Sequence, residues 1–187
     1  SVSDIILNVG AIELAHNNAG SSADITVNAG DLGFWDNRTI NNDITLAGGR
    51  LKQNRAGYTA TLAGQIDVTE DSTIDPNNAN SVLDLTGTLT GTNTVTLGNG
   101  WTRLSGDMSG FTGEYLLDET DARLDLTDDQ DVLADVHVGI GGNAKVLRLH
   151  TGYTDATISG DVYLLEGPAG YFYVSVHDRD GVLTISG

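Results

Sequence analysis

The chain has 187 residues with 24 glycines, 2 prolines and no cysteine, which excludes disulfide bonds and thiolate metal sites. Its formal net charge of −17, with only 9 Lys and Arg residues, disfavours nucleic acid, anionic membrane surfaces and anionic polysaccharides as partners. A neutral polymer or a cation meets no such electrostatic penalty.

A degenerate phrase returns along the first half of the chain. It reads DIILNVGAI at 4–12, DITVNAGDL at 24–32 and DITLAGGRL at 43–51, with weaker copies at 60–66 and 82–89. A repeat near twenty residues is typical of stacked supersecondary units, each too small to bury its own apolar face. The positions predicted to be equivalent in successive copies are Leu7, Val27, Leu46, Leu62 and Leu85.

Within each copy, apolar and polar residues alternate. In the second copy Ile25 and Val27 share one face, and this period of two marks a half-buried strand. Glycine follows at the corner, where the backbone turns or approaches a neighbour closely. Residues at equivalent corners are expected to form ladders, so that Asn28 bonds to Asn8 in the adjacent coil.

The recurrence of one phrase in one polarity favours a parallel β-helix over an antiparallel sandwich. We predict an all-β fold, a right-handed parallel β-helix (β-solenoid), with a single domain over 1–187. The segment 155–187 is expected to form a less regular terminal cap or later coils. Little helix is expected beyond one turn near 127–133, because no longer segment carries a 3.6-residue period with caps.

Three aromatic residues are predicted to face solvent. Alternation turns Leu32 and Phe34 inward, so the adjacent Trp35 should point outward. Tyr58 falls in a loop before the fourth copy, and Trp101 in a Gly-Asn-Gly-Trp corner. If their coils are neighbours, such rings line one strip along the solenoid.

A strip of this kind suits a linear glycan, because Trp and Tyr rings stack on the apolar face of a pyranose. We predict that the three aromatics act as stacking platforms, while Asp36 and Asn54 bond the sugar hydroxyls. Tyr153, next to a glycine, is a further candidate. The alternative interpretation is that these aromatics fill corners or cap the core.

Signals for catalysis or metal binding are weak. A glycosidase needs two carboxylates at a set separation, and with 26 Asp and Glu residues the sequence nominates no pair. The few scattered basic residues disfavour a lyase. The stretch 178–181, Asp-Arg-Asp-Gly, resembles the first half of a calcium loop but lacks the later glutamate, so Asp178 and Asp180 are only a weak calcium signal. No catalytic residue and no cofactor is predicted.

The central stretch 87–117 resembles the β-strand repeat of autotransporter passenger domains. The resemblance depends on Leu-Ser-Gly at 104–106 followed by Phe-Thr-Gly at 111–113. It implies a β-helix without implying an activity. It also implies a second function, as a structural or adhesive segment of an exported bacterial surface protein.

In size, acidity, degenerate repeat and abrupt ends, the chain is similar to the parallel β-helix carbohydrate-binding modules that accompany xylan-degrading enzymes in gut bacteria. This resemblance implies a non-catalytic module that binds a neutral plant polysaccharide, xylan or a related β-1,4-glycan. It further implies a secreted or cell-surface bacterial protein, with the module tethered to a catalytic domain, no nucleic-acid partner and no membrane insertion. A glycan-cleaving enzyme is the third and least favoured hypothesis.

Overall fold

The computed structural model describes residues 4–17, 22–127, 130–139, 145–149, 155–164, 172–176 and 182–187. This part of the chain is all β and contains no helix. The strands are β1 (Asp4–Leu7), β2 (Ala11–Leu14), β3 (Asp24–Val27), β4 (Asp31–Phe34), β5 (Arg38–Ile40), β6 (Ile44–Ala47), β7 (Arg50–Gln53), β8 (Thr59–Leu62), β9 (Ile66–Glu70), β10 (Ser72–Asp75), β11 (Val82–Leu85), β12 (Thr88–Gly91), β13 (Thr94–Leu97), β14 (Gly100–Leu104), β15 (Asp107–Phe111), β16 (Glu114–Leu117), β17 (Ala122–Leu126), β18 (Gln130–Val132), β19 (Asp135–Val138), β20 (Lys145–Leu149), β21 (Asp155–Ile158), β22 (Val162–Leu164), β23 (Phe172–Val176) and β24 (Val182–Ile185).

The strands pair in parallel to form three long sheets and one short one. Sheet A has the order β1-β3-β6-β9-β12-β15, and sheet B the order β2-β4-β7-β10-β13-β16-β19-β22. Sheet C joins β5, β8, β11, β14, β17, β20 and β23, and sheet D joins β18, β21 and β24. The predicted single-domain parallel β-solenoid is therefore confirmed.

In chain order each turn visits sheet A, then sheet B, then sheet C. From β18 onward sheet D takes the place of sheet A in this cycle. The strand β18 also lies where one helical turn was expected, so that prediction is wrong at Gln130–Val132. The interpretation of 155–187 as a cap stays a prediction.

The core is a set of apolar columns that run across the turns. In sheet A, Ile25 pairs with Ile44 and Ile44 with Ile66, and all three are buried. Leu32 and Phe34 of sheet B are also fully buried, as their alternation predicted. Since no turn can bury its apolar face alone, each one depends on its neighbours for stability.

The equivalence of the five repeat copies holds only in part. Leu7, Val27 and Leu46 do form one column of sheet A. Leu62 and Leu85, however, pair with each other in sheet C, and the sheet A partner of Leu46 is Val68. The same strand-corner-strand phrase therefore occurs at two different corners of the solenoid, because each corner imposes the same local pattern.

The corners between sheets A and B and between sheets C and A are tight. The Asn28 Nδ2 atom donates to Asn8 Oδ1 at 2.7 Å, which confirms the predicted ladder, although both side chains are exposed. At the C-to-A corner, a Cβ placed on Gly87 would lie 2.0 Å from the Gly64 carbonyl oxygen, and one on Gly106 would lie 1.9 Å from that of Gly87. Glycine is required in this column because adjacent turns touch through their backbones.

Candidate functional site

The loops from sheet B to sheet C differ from the other corners and form what we term the B–C edge. In the described turns they comprise 35–37, 54–58, 76–81, 98–99 and 118–121. These loops carry all three described non-glycine residues with positive φ, namely Asp36 (60°), Asn77 (62°) and Asp121 (54°). Backbone strain of this kind concentrates at functional sites.

Trp35 and Tyr58 lie together on this edge, with Arg55 between them. The Arg55 guanidinium carbon is 5.6 Å from the centre of the Trp35 ring and 4.8 Å from that of Tyr58. Trp35 follows directly on buried Phe34 but is itself 39% exposed, as predicted. The result is a small aromatic and cationic surface held against the solenoid.

Asp36 fixes the position of this guanidinium. Its carboxylate accepts a hydrogen bond from Arg55 Nη1 and lies 3.7 Å from Arg38 Nη2. Aspartate tolerates the left-handed backbone that Asp36 adopts better than most residues do. Asp36 therefore lies beside the aromatic pair with its carboxylate engaged by arginine, and its predicted role toward a sugar stays a prediction.

Two buried polar side chains make the edge rigid. The fully buried Gln53 donates to the Asp36 carbonyl at 3.1 Å and accepts from the Arg55 amide at 3.2 Å. The fully buried Ser81 accepts from the Gly57 amide at 3.0 Å and donates to the Arg55 carbonyl at 3.3 Å. Successive loops are thus bonded to one another, so the aromatic surface is organised in advance of any ligand.

Trp101 lies farther along the same side of the molecule with its own arginine. It is the second residue of β14, on the outer face of sheet C, and not in a corner as the sequence suggested. Its strand partner Arg123 places its guanidinium carbon 4.8 Å from the ring centre. The Arg123 Nη1 atom also donates to the Ala79 carbonyl at 2.9 Å, which connects this pair to the loop 76–81.

The remaining predicted residues are not seen to join the aromatic surface. Asn54 is on the edge, but its Nδ2 atom lies over Gly33 and donates to Glu13 Oε2 at 3.2 Å on the sheet B side. Tyr153, Asp178 and Asp180 lie outside the described residues. Within the described ranges, no three His, Asp or Glu side chains converge to hold a metal ion.

Sequence reasoning overlooked the role of the two arginines. Neither Arg55 nor Arg123 was predicted to contribute to the site. The signal was present in the repeat, because Arg55 follows Trp35, and Arg123 follows Trp101, by about one turn of chain. Residues one turn apart are neighbours in a parallel solenoid, so this spacing was the available signal, although the exact register required the fold.

In the part of the chain that the structure describes, no helix is long and apolar enough to cross a membrane. Comparison of the chain with protein-family models, with curated proteins and with solved structures finds no match.

Proposed function

We propose that the protein is a non-catalytic module that binds a neutral β-1,4-linked polysaccharide along the B–C edge. The observation that carries this proposal is the arrangement of Trp35, Tyr58 and Trp101 on one side of the solenoid, each with a stacked guanidinium. A guanidinium covers one face of a ring and leaves the rest of an exposed ring available to a pyranose. Its remaining N–H groups can donate to sugar hydroxyls.

The geometry also supports a linear ligand. Trp101 and Thr59 occupy the same outward column of sheet C with only Val82 between them, and Tyr58 precedes Thr59. Adjacent strands lie ~4.8 Å apart, so the two aromatic groups are separated by about 10 Å along the solenoid axis. A polymer is able to bridge that distance, whereas a monosaccharide is not.

Binding without cleavage is favoured by the charges on this edge. A glycosidase requires two carboxylates that face each other across the scissile bond. The carboxylate of Asp36, the residue after Trp35, is instead paired with Arg55 and Arg38. We further propose that the module belongs to a secreted or cell-surface bacterial protein, where it holds a xylan-degrading enzyme on its polymer.

A second candidate function is a structural or adhesive segment of a surface protein. The outer face of sheet A favours it, since Thr26, Thr45, Asp67 and Thr90 form a polar column without an aromatic residue. Passenger-type solenoids present such uniform faces and need no small ligand. The two functions therefore predict different faces, and mutation of the B–C edge separates them.

The test is affinity gel electrophoresis of the protein against xylan, glucomannan, β-glucan, a cellulose derivative, pectin and alginate. We expect retardation by one neutral β-1,4-glycan, without release of reducing sugar. Trp35→Ala and Trp101→Ala should each weaken that binding about tenfold, which corresponds to ~1.4 kcal/mol.

Tyr163→Ala serves as the matched control, because Tyr163 is an exposed aromatic on sheet B, away from the edge. Full affinity in both folded tryptophan variants, or equal loss in the Tyr163 variant, would contradict the proposed surface. No retardation on any polymer would favour the structural segment. Release of reducing sugar would instead show an enzyme.

A further inference from the structure

A polar cavity of about 280 Å³ opens on the sheet B side of the B–C edge. It is lined by Arg50 and Thr73 on the sheet and by Asp75, Asn77, Asn99 and Glu119 at the loops. We propose that this cavity binds one neutral sugar residue, carried as a substituent on the polysaccharide. The inference rests on the proposed function and assigns a branch-recognition site to it.

Asn99, which lines the cavity, carries an unpaired acceptor. The Asn99 Oδ1 atom is shielded from solvent yet has no hydrogen-bond partner. Buried polar atoms are normally bonded, and an exception needs an explanation. Because the Asn99 side chain as a whole is half-buried, rotation of its amide turns Oδ1 toward the cavity, where a ligand hydroxyl can donate to it.

The other groups define the chemistry of the ligand. Arg50 binds Asp31 through Nε at 2.8 Å and Nη2 at 2.7 Å, while its Nη1 lies 3.5 Å from Asp75 Oδ2. Its Nη1 hydrogen is therefore weakly engaged and can donate to a ligand. The carboxylates of Asp75 and Glu119 provide acceptors, and the Thr73 hydroxyl provides either function.

This set of groups favours a neutral polyol over an ion. Hydroxyls donate to the surplus of acceptors and accept from Arg50 and Thr73, so one ring can satisfy both kinds of group. An anionic substituent would meet the carboxylates of Asp75 and Glu119. A divalent cation would be repelled by the Arg50 guanidinium, which already neutralises part of the local charge.

The cavity is placed to receive a branch of a polymer bound at Trp101. Asn99 is two residues before Trp101, and Asn77 belongs to the loop that Arg123 holds at the Ala79 carbonyl. A chain stacked on Trp101 thus passes the cavity, whose volume is at the lower limit for ligand sites. That size suits one ring rather than a second polymer chain.

The experiment compares calorimetric titration of a linear xylo-oligosaccharide with the same oligosaccharide carrying one neutral pentose. The wild-type protein should bind the substituted form about tenfold more tightly. Thr73→Val and Asn99→Leu should remove this preference without changing the affinity for the linear form. Thr96→Val is the matched control, because Thr96 is the strand partner of Thr73 but does not line the cavity.

The outcomes separate the two proposals. If Trp101→Ala weakens binding while Thr73→Val and Asn99→Leu retain the preference, the branch site is wrong and the polysaccharide-binding surface stands. Equal binding of both oligosaccharides to the wild-type protein would likewise contradict the branch site and leave the polysaccharide-binding surface standing. If neither binds, both proposals fail. A calcium-dependent rise in the melting temperature that Glu119→Gln abolishes would show a cation site and would overturn the inference.

Discussion

The tight corners and the B–C edge are built on opposite principles. At the C-to-A corner a column of glycines lets adjacent turns touch through their backbones, with Gly87 between Gly64 and Gly106. At the B–C edge the loops vary in length, and side chains add to the backbone hydrogen bonds that connect the turns. The fold therefore depends on the corners that cannot vary, while the edge is free to carry recognition residues.

Substitution of a glycine at a tight corner should have the largest effect on stability. Gly87→Ala places a Cβ about where the Gly64 carbonyl oxygen now lies, so adjacent turns must separate. We expect a loss of about 3 kcal/mol or more in the free energy of unfolding, measured by urea denaturation. Gly57→Ala on the B–C edge meets no atom within 4 Å and only the strain of φ +79°, so it should lose about 1 kcal/mol. Equal losses would show that the edge constrains the fold as strongly as the corner does.

Two arginines should differ in how much they stabilise the fold, one on sheet C and one on the B–C edge. Arg103 on sheet C donates from Nε at 3.0 Å to Asp125, whose carboxylate is fully buried, and lies 3.6 Å from Asp84. Arg103→Met weakens the compensation of a buried charge and should cost about 2 kcal/mol. Arg55→Met removes an ion pair on the exposed edge and should cost about 0.5 kcal/mol.

Urea unfolding of both arginine variants gives the two free energies directly. A loss in the Arg55 variant as large as that in the Arg103 variant would mean that the edge arginine stabilises the fold. The position of Arg55 over the Trp35 and Tyr58 rings would then be explained by stability alone, without a role in ligand binding.

Two tyrosines provide a contrast in pH dependence. Tyr115 is fully buried beside Phe111, and its hydroxyl has no hydrogen-bond partner. Burial raises the pKa of Tyr115 far above its ordinary value of 10.0. The folded state keeps this proton while the unfolded chain releases it, so this residue lowers the free energy of unfolding as the pH rises above about 10.

Tyr115→Phe should therefore stabilise the protein by about 1 kcal/mol at pH 7, because it removes an unsatisfied buried hydroxyl. It should also remove this residue's share of the loss at high pH. Tyr58→Phe, at the half-buried position on the B–C edge, is the control and should leave the free energy of unfolding at pH 7 unchanged. Thermal unfolding between pH 7 and 11 measures the stability at pH 7 and its loss at high pH. Destabilisation of the Tyr115 variant would reveal a partner for the hydroxyl.

The difference between the tight corners and the B–C edge also explains which features could be predicted from the sequence. Alternation placed Leu32 and Phe34 inside and Trp35 outside, because a strand gives every second residue the same face. The repeat aligned Leu7, Val27 and Leu46, where the tight corners keep turns of nearly equal length. Local pattern therefore sufficed wherever the local geometry repeats.

The candidate site was harder to predict because loop lengths vary along the B–C edge. The copies at 60–66 and 82–89 were wrongly aligned with the sheet A positions of the first three copies, since the same phrase fits two corners. The Arg123 guanidinium over Trp101 depends on which residues are strand partners, and that register follows from the whole turn. The aromatic residues could be nominated from sequence, but their arginine partners required the fold.

The smallest expected effect concerns the asparagine ladder at the A-to-B corner. Asn28→Ala removes the bond to Asn8, but both side chains are exposed, so water replaces the lost partner. We expect a loss of about 0.5 kcal/mol. Asn42→Ala removes a buried bond to the Ala23 carbonyl, 2.7 Å long, and should cost about 1.5 kcal/mol. If urea unfolding shows the exposed ladder to be worth as much as the buried bond, then exposed side chains stabilise the tight corners as strongly as buried ones do. Burial would then not decide which side-chain bonds hold adjacent turns together.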